Sequence, residues 1–189
     1  MIDELIHYDK ELFLFLNNLG SSTWDGFWMF YTTKFNWVPF YAVLLYLIFK
    51  NLHKKTFILS LFVITLMIVF TDQITNFFKD GFERLRPCYD GATKDLMRLV
   101  RSTCGGKFSY FSGHASNSMA VAVFAGLVLK NKYKYLVFFL LLWSALMAYS
   151  RIYIGVHFPL DAISGMLFGG FSGFLFYKIL KYLDVKFTS

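Results

Sequence analysis

The stretch SRIYIGVHFPLD, residues 150–161, sets an arginine, a histidine and an aspartate around a proline, between two apolar runs. The runs on either side, 133–149 and 158–180, are each long enough to enter a bilayer, for which ~20 mostly apolar residues suffice within a range of ~17–25. Ionisable groups are costly in hydrocarbon, so a cluster of them between two such runs reads as a functional turn at a membrane surface. Further out, 57–78 and 113–129 qualify as spans, and 35–49 does so if its flanks join the interface. The expected fold is all-α: a polytopic membrane helix bundle of five transmembrane helices plus N-terminal interfacial or re-entrant helices, with a sixth span as the alternative.

Composition agrees. Of 189 residues, 57% are hydrophobic and only 16% charged, against roughly 25% charged in a soluble domain. The mean hydropathy is +0.49. The 24 Phe and 12 Tyr suit lipid-facing helices and interfacial belts. Length suggests one integral-membrane domain over 1–189. The formal charge of +7 resides partly in clusters at the ends of apolar runs: KNLHKK at 50–55, KNKYK at 130–134, and Lys178, Lys181 and Lys186. That is the pattern of cytoplasmic membrane flanks. The expected partner is therefore the bilayer and a lipid within it, not nucleic acid.

The opening segment MIDELIHYDKELFLFL is acidic and shows neither a basic leader nor a small-residue cleavage site, so a true span is expected to direct insertion. Residues 1–34 hold two short apolar pieces split by a polar, glycine-containing middle. They read as an interfacial helix followed by a short re-entrant or tilted one.

The long hydrophilic insert is 79–111, and a loop of that length is usually functional or disordered. If the spans alternate, the three lysine clusters share one face, the cytoplasmic one, while the insert and the 150–158 connection share the other. Cys88 and Cys104 both lie in the insert. On an oxidising face they are expected to pair and staple it, with free thiols as the alternative.

Three polar groups then meet on the outer face: KDGFERLRP at 79–87, FSGHASNS at 111–118, and the opening stretch. Lys79, Arg86 and Arg151 are cations, and arginine presents a planar fork suited to phosphate oxygens. Ser112 and Gly113 begin a helix whose backbone N–H groups would face an anion, with glycine allowing close approach. His114 and His157 supply two imidazoles, one able to act as nucleophile and the other as acid. Asp161, four residues after His157, can orient it, as in a triad with histidine as nucleophile. Taken singly, each residue has an ordinary reading as a helix end or a positive flank. Yet two of the four histidines and two of the three prolines fall in these segments. His7 and His53 have only the ordinary reading.

These residues resemble the type 2 phosphatidic acid phosphatase superfamily, whose core is similar to that of vanadium haloperoxidases. The family pattern K-x6-R-P, P-S-G-H and S-R-x5-H-x3-D reads here as Lys79…Arg86-Pro87, Phe111-Ser112-Gly113-His114 and Ser150-Arg151…His157…Asp161. Phe111 replaces the usual proline, a change expected to alter the turn into the helix rather than the chemistry. The resemblance implies that His157 attacks phosphorus to form a phosphohistidine and that Asp161 orients it. It implies that His114 protonates the leaving oxygen and then helps activate water. Lys79, Arg86, Arg151, Ser112 and Gly113 would cradle the phosphate. No metal or other cofactor is implied.

Flanking polar residues are expected to support the site: Asp72 and Asn76 beside Lys79, Asn117 and Ser118 beside His114, and Ser144 below Arg151. For Asp72 a hydrogen bond to a neighbouring helix is favoured over catalysis. Gly165, Gly169 and Gly173 form a small-residue stripe suited to tight helix packing. The expected activity is hydrolysis of a lipid phosphate or pyrophosphate in a bacterial inner membrane, with the site facing the periplasm or outer side. Undecaprenyl pyrophosphate ranks first as substrate, followed by lipid A or phosphatidylglycerophosphate, with phosphatidic acid also in the class. The alternatives are a non-hydrolytic headgroup-binding or transport protein, which would need no nucleophile and acid, and a haloperoxidase, which would gain nothing from embedded helices.

Overall fold

Apolar runs without internal proline leave the backbone little choice in lipid but to bond to itself as helix. The computed structural model describes residues 2–188; Met1 and Ser189, the ends of the single domain read from the sequence, lie outside the described residues. Among the described residues there are seven helices: α1 (Ile2–Asn18), α2 (Ser22–Thr32), α3 (Val38–Asn51), α4 (Lys54–Phe82), α5 (Gly113–Leu129), α6 (Leu136–Tyr153) and α7 (Pro159–Thr188). A 3-10 turn, Lys34–Trp37, joins α2 to α3. No strand occurs among the described residues, only an isolated bridge between Leu85 and Phe108 inside the insert.

Helices α4, α6 and α7 are long and apolar enough to cross a membrane. Helix α5 is apolar but has 17 residues, and α3 has 14. At 1.5 Å per residue these reach only ~25 and ~21 Å, so length alone does not make them spans. Helix α4 outruns its apolar segment at both ends and α7 at its C-terminal end. Hydropathy marks where lipid contact ends, not where helical hydrogen bonding does.

Helix α5 lies at the centre, packed on α4, α6 and α7. The glycine stripe of α7 runs along it. A Cβ at Gly165 would stand 2.6 Å from the Ser112 carbonyl oxygen, one at Gly173 would stand 2.5 Å from that of Ala120, and Gly169 is tighter still against Ser116. Glycine is what lets the two backbones touch. Ser118 and Ser144 bond through their hydroxyls at 2.8 Å, tying α5 to α6.

The N-terminal segment forms two helices, α1 and α2. Helix α1 buries one narrow stripe, Asp9, Phe13 and Asn17 at i, i+4 and i+8, and exposes both apolar Ile2, Leu5, Leu12 and Phe15 and charged Asp3, Glu4 and Glu11. The insert folds back over α1 and α2. Lys10 pairs with Asp90 at 2.7 Å and Arg98 with Asp25 at 2.9 Å. Cys88 and Cys104 are joined as a disulfide, with Cα atoms 6.3 Å apart.

Candidate active site

Every residue from 150 to 159 is buried. The polar turn between α6 and α7 is thus roofed over by α1 and the insert rather than open to solvent, a feature its sequence does not announce. Just past the cap of α6 comes Gly155, whose φ of +83° is a left-handed conformation that favours glycine. A Cβ there would also collide with the insert, 2.6 Å from the Arg98 carbonyl oxygen. The Asn17 amide of α1 donates to the terminal carbonyls of α6, Ile152 at 3.2 Å and Tyr153 at 2.9 Å, groups that have no partner within the helix.

The chain then turns at once into α7. Pro159 occupies its first position, where a missing N–H costs nothing. Two residues on, Asp161 reaches back so that Oδ2 accepts the Phe158 N–H at 2.9 Å. This is the reciprocal half of a capping box. The three-position step from Phe158 to Asp161 is the geometry of a helix start, and it brings the carboxylate back toward the imidazole of His157, four positions before it. His157 Nδ1 stands 3.6 Å from Asp161 Oδ2, an electrostatic contact longer than a hydrogen bond.

Lys79, Arg86, Gly113, His114, Arg151 and His157 line one cavity of about 740 Å³. They come from the end of α4, the insert, the start of α5, the end of α6 and the turn after it. Arg86 is held from behind, its Nη1 donating to the Cys104 carbonyl at 3.2 Å and its Nε to that of Phe108 at 3.2 Å. Arg151 is buried, and its Nη1 donates to Thr32 Oγ1 at 2.7 Å. Burial, reinforced by Arg86, Arg151 and Lys79, holds the pKa of His157 well below the ordinary histidine value, while the Ser109 backbone partly opposes the shift. The imidazole is then neutral at pH 7, with a free lone pair.

Ser112 is placed differently from the phosphate-facing role its motif implies. It is absent from the cavity lining and fully buried. Its Oγ faces the Ala115 N–H as the N-cap of α5, and its own N–H donates to the Asp161 carbonyl at 2.9 Å. Phe111, in the family's proline position, is buried with its ring against Phe78 and Phe168. Asp72 lines the cavity and accepts from Asn117 Nδ2 at 2.7 Å. Asn117 and Ser118 line it too, whereas Asn76 does not.

Several further residues join the site without a sequence signal strong enough to single them out. Lys34, from the turn after α2, and Arg101, from the insert, line the same cavity. Behind His157, Arg84 donates to Asp161 Oδ1 at 2.7 Å and also pairs with Asp9 of α1. Burial pushes the Asp9 carboxyl above its ordinary range, with Arg84 and the Leu160 N–H opposing. Away from these charges the cavity continues as an apolar slot lined by Leu44 and Ile48 of α3, Ile64 and Met67 of α4, and Val121 and Phe124 of α5. Anion cradle and apolar slot are continuous, the shape of a site for an amphiphile with a phosphate head.

The chain is also similar over most of its length to known proteins. The family model described as the PAP2 superfamily matches residues 57–184. A lipid A 4′-phosphatase from Bacteroides thetaiotaomicron is 38% identical, over 100% of this chain and 84% of the relative. An undecaprenyl-diphosphatase from Sulfolobus acidocaldarius is 31% identical, over 94% of this chain and 81% of that protein. Among solved structures, that of Aquifex aeolicus LpxE superposes with a TM-score of 0.69 at 25% identity, covering 89% of this chain and 93% of the other.

Proposed function

The chain belongs to the PAP2 superfamily and is a membrane lipid phosphatase, and on that premise we propose that it removes a phosphomonoester from a lipid A-type lipid through a phosphohistidine on His157. The neutral imidazole attacks phosphorus, and the bond from phosphorus to the lipid oxygen breaks. His114 gives that oxygen its proton. Water, deprotonated by His114, then cleaves the phosphohistidine and releases inorganic phosphate. Lys79, Arg86, Arg151 and the first-turn N–H groups of α5 at Gly113 hold the non-bridging oxygens, where preorganised positive charge counts most. Ser112 contributes by capping that turn, and Asp161 by orienting His157.

One observation carries this reading: a single cavity runs from the two histidines and their cations into an apolar slot. A headgroup-binding protein would need the cations and the slot, but not a desolvated, neutral imidazole backed by a carboxylate. The lipid A-type substrate moves ahead of undecaprenyl pyrophosphate because the relative at 38% identity spans the whole chain. Charge supports a large anionic head. Lys34 and Arg101 join the three motif cations, and Asp72 is the one carboxylate among the described residues of the lining.

We read α3 to α7 as five spans, with α1 and α2 on the outer surface of a bacterial inner membrane. The lysine-rich ends of α3, α5 and α7 would face the cytoplasm and the site the periplasm. The chain acts as one domain, with 1–34 as its N-terminal cover and 79–111 as an outer insert carrying part of the site.

The test is phosphate release by detergent-purified protein from lipid A, undecaprenyl pyrophosphate, phosphatidylglycerophosphate and phosphatidic acid, each beside His157→Ala. Release that is fastest from lipid A and absent in the variant is expected. Faster turnover of another lipid overturns the substrate, and release that survives His157→Ala overturns the nucleophile.

A further inference from the structure

Front and back of His157 differ in how their charges are used. The front carries the motif cations. The back is a chain of charges, two buried carboxylates joined by a partly buried Arg84, that reaches the N-terminal helix, outside the residues matched by the family model. Asp161 is fully buried and Asp9 nearly so. Arg84 lies between them, its Nη1 on Asp161 Oδ1 at 2.7 Å and its Nη2 on Asp9 Oδ2. The guanidinium also covers the Phe158 ring, Cζ to centroid 4.4 Å. Asp9 Oδ1 in turn accepts the Leu160 N–H at 2.8 Å.

The two carboxylates thus divide the start of α7 between them. Asp161 takes the N–H of Phe158 and Asp9 that of Leu160, both donors left without a partner inside the helix. The rest of the buried face of α1 grips the same segment. Phe13 packs edge-on against Phe158, centroids 5.2 Å apart, and Asn17 caps the end of α6. Residues 150–161 are therefore fixed at both ends and in the middle by one face of one helix.

The geometry points to Arg84 and Asp9 as positioning residues for the phosphatase reaction: Arg84, anchored by Asp9, keeps the Asp161 carboxylate ionised and turned toward His157 Nδ1. This rests on the roles given above to His157 and Asp161. A carboxylate buried without a cation would take up a proton instead. A protonated Asp161 would lose its charge and one acceptor, and with them its hold on the imidazole tautomer that leaves Nε2 free to attack. The Asp9 contact completes the pairing of the guanidinium and sets its direction, since two carboxylates on opposite nitrogens leave Arg84 one orientation.

A merely structural pair would staple α1 to the bundle and touch catalysis only by lowering the folded fraction, so the test separates the two. Full-length protein in detergent carries Arg84→Gln, Arg84→Lys or Asp9→Asn, each with and without Asp161→Asn, and kcat and KM for lipid phosphate are measured on the folded fraction. Carboxylates and other partners that orient a metal-bound imidazole from behind are worth roughly 10–100-fold, and a loss on that scale is the one to look for here. Arg84→Gln is expected to lower kcat by about that factor with KM within about twofold, and Arg84→Lys to recover part of the loss. In the Asp161→Asn background neither change should cost more, because the carboxylate they act through is gone. Losses that multiply in that background, or an unchanged kcat per folded molecule, overturn the inference. If Asp161→Asn alone leaves kcat intact, the role of Asp161 fails first, and that outcome is distinct. Should Arg84→Gln not fold, the isosteric Asp9→Asn carries the same cycle with the same two outcomes.

Discussion

The two sides of His157 differ in how completely their polar groups are used. Behind the ring, Asp161 accepts from Arg84 and the Phe158 N–H, and Asp9 from Arg84 and the Leu160 N–H. In front, each guanidinium is held by one edge. Arg86 donates to two insert carbonyls and Arg151 to Thr32, and both line the cavity with Lys79. Satisfied groups make a rigid back wall and partly satisfied ones a receptive front. That division is what a site needs when it must hold its nucleophile still while exchanging an anion.

The comparison breaks most sharply at His157, the proposed nucleophile. His157→Ala is expected to lower kcat by around 10⁶-fold, the scale seen when a covalent nucleophile is removed. No alkali-stable phosphoenzyme should form from labelled substrate. Phosphoenzyme in this variant would move the nucleophile to His114 and reverse front and back.

Next in size is the front. Arg151→Ala should cost roughly 10²–10³-fold in kcat/KM, the scale of losing one preorganised charge donor. It should also move the acid limb of the pH profile, and the sign is fixed by the cations. Protonation removes the nucleophile, and burial together with Arg86, Arg151 and Lys79 lowers the pKa of His157. In the wild type kcat/KM, which reports the free enzyme, should therefore hold as pH falls through the ordinary histidine value and drop only below it. Removing Arg151 takes away one repelling charge, so the limb moves to higher pH. A limb that stays put would assign it to another group.

A smaller effect is expected at the far end of the cavity. Val121 lines the apolar slot and is only partly buried, so Val121→Trp fills lipid space while leaving the charges alone. KM for a long-chain lipid phosphate should rise about tenfold, the low end of what pocket shape discriminates. A water-soluble phosphomonoester should be hydrolysed as before. Equal losses on both would mean that the slot does not seat the lipid.

The front was legible in the sequence and the back largely was not, for a physical reason. A phosphate cradle needs particular side chains at particular helix ends, so K-x6-R-P, S-G-H and S-R-x5-H-x3-D leave a local trace that no packing requirement would produce. The spacing of His157 and Asp161 could be read because it is also a helix-start rule. Arg84 and Asp9 carry no such trace. They are separated by 75 positions, and Asp9 lies in an acidic opening segment where Asp3, Glu4 and Glu11 are equally available. Only the fold shows that Asp9 shares a buried face with Phe13 and Asn17. Ser112 shows the opposite case: a residue legible as part of a motif whose hydroxyl turns away from the cavity to cap α5. Helix ends were read short where polar residues continue α4 and α7 beyond lipid contact.

The mildest test concerns what stiffens the front. Arg86 hangs from the carbonyls of Cys104 and Phe108, and the Cys88–Cys104 disulfide closes that loop across 16 positions. By the chain-entropy account a loop of this size contributes roughly 3 kcal/mol to folding, so Cys88→Ser with Cys104→Ser should lower the unfolding midpoint. Its kinetic effect should be slight, because Arg86 keeps its charge and loses only a fixed backrest: KM rising about twofold to fivefold, kcat nearly unchanged. Arg84 has a different support. Its backbone carbonyl accepts the Ser109 N–H at 2.8 Å and its side chain is held by α1 and α7, so the back wall should not register loss of the bridge. Combining the cysteine changes with Arg84→Gln therefore distinguishes the walls. Independent walls give a kcat loss from one and a KM rise from the other that simply multiply. A kcat that collapses in the combination would mean that the insert, through its disulfide, also steadies the back of His157.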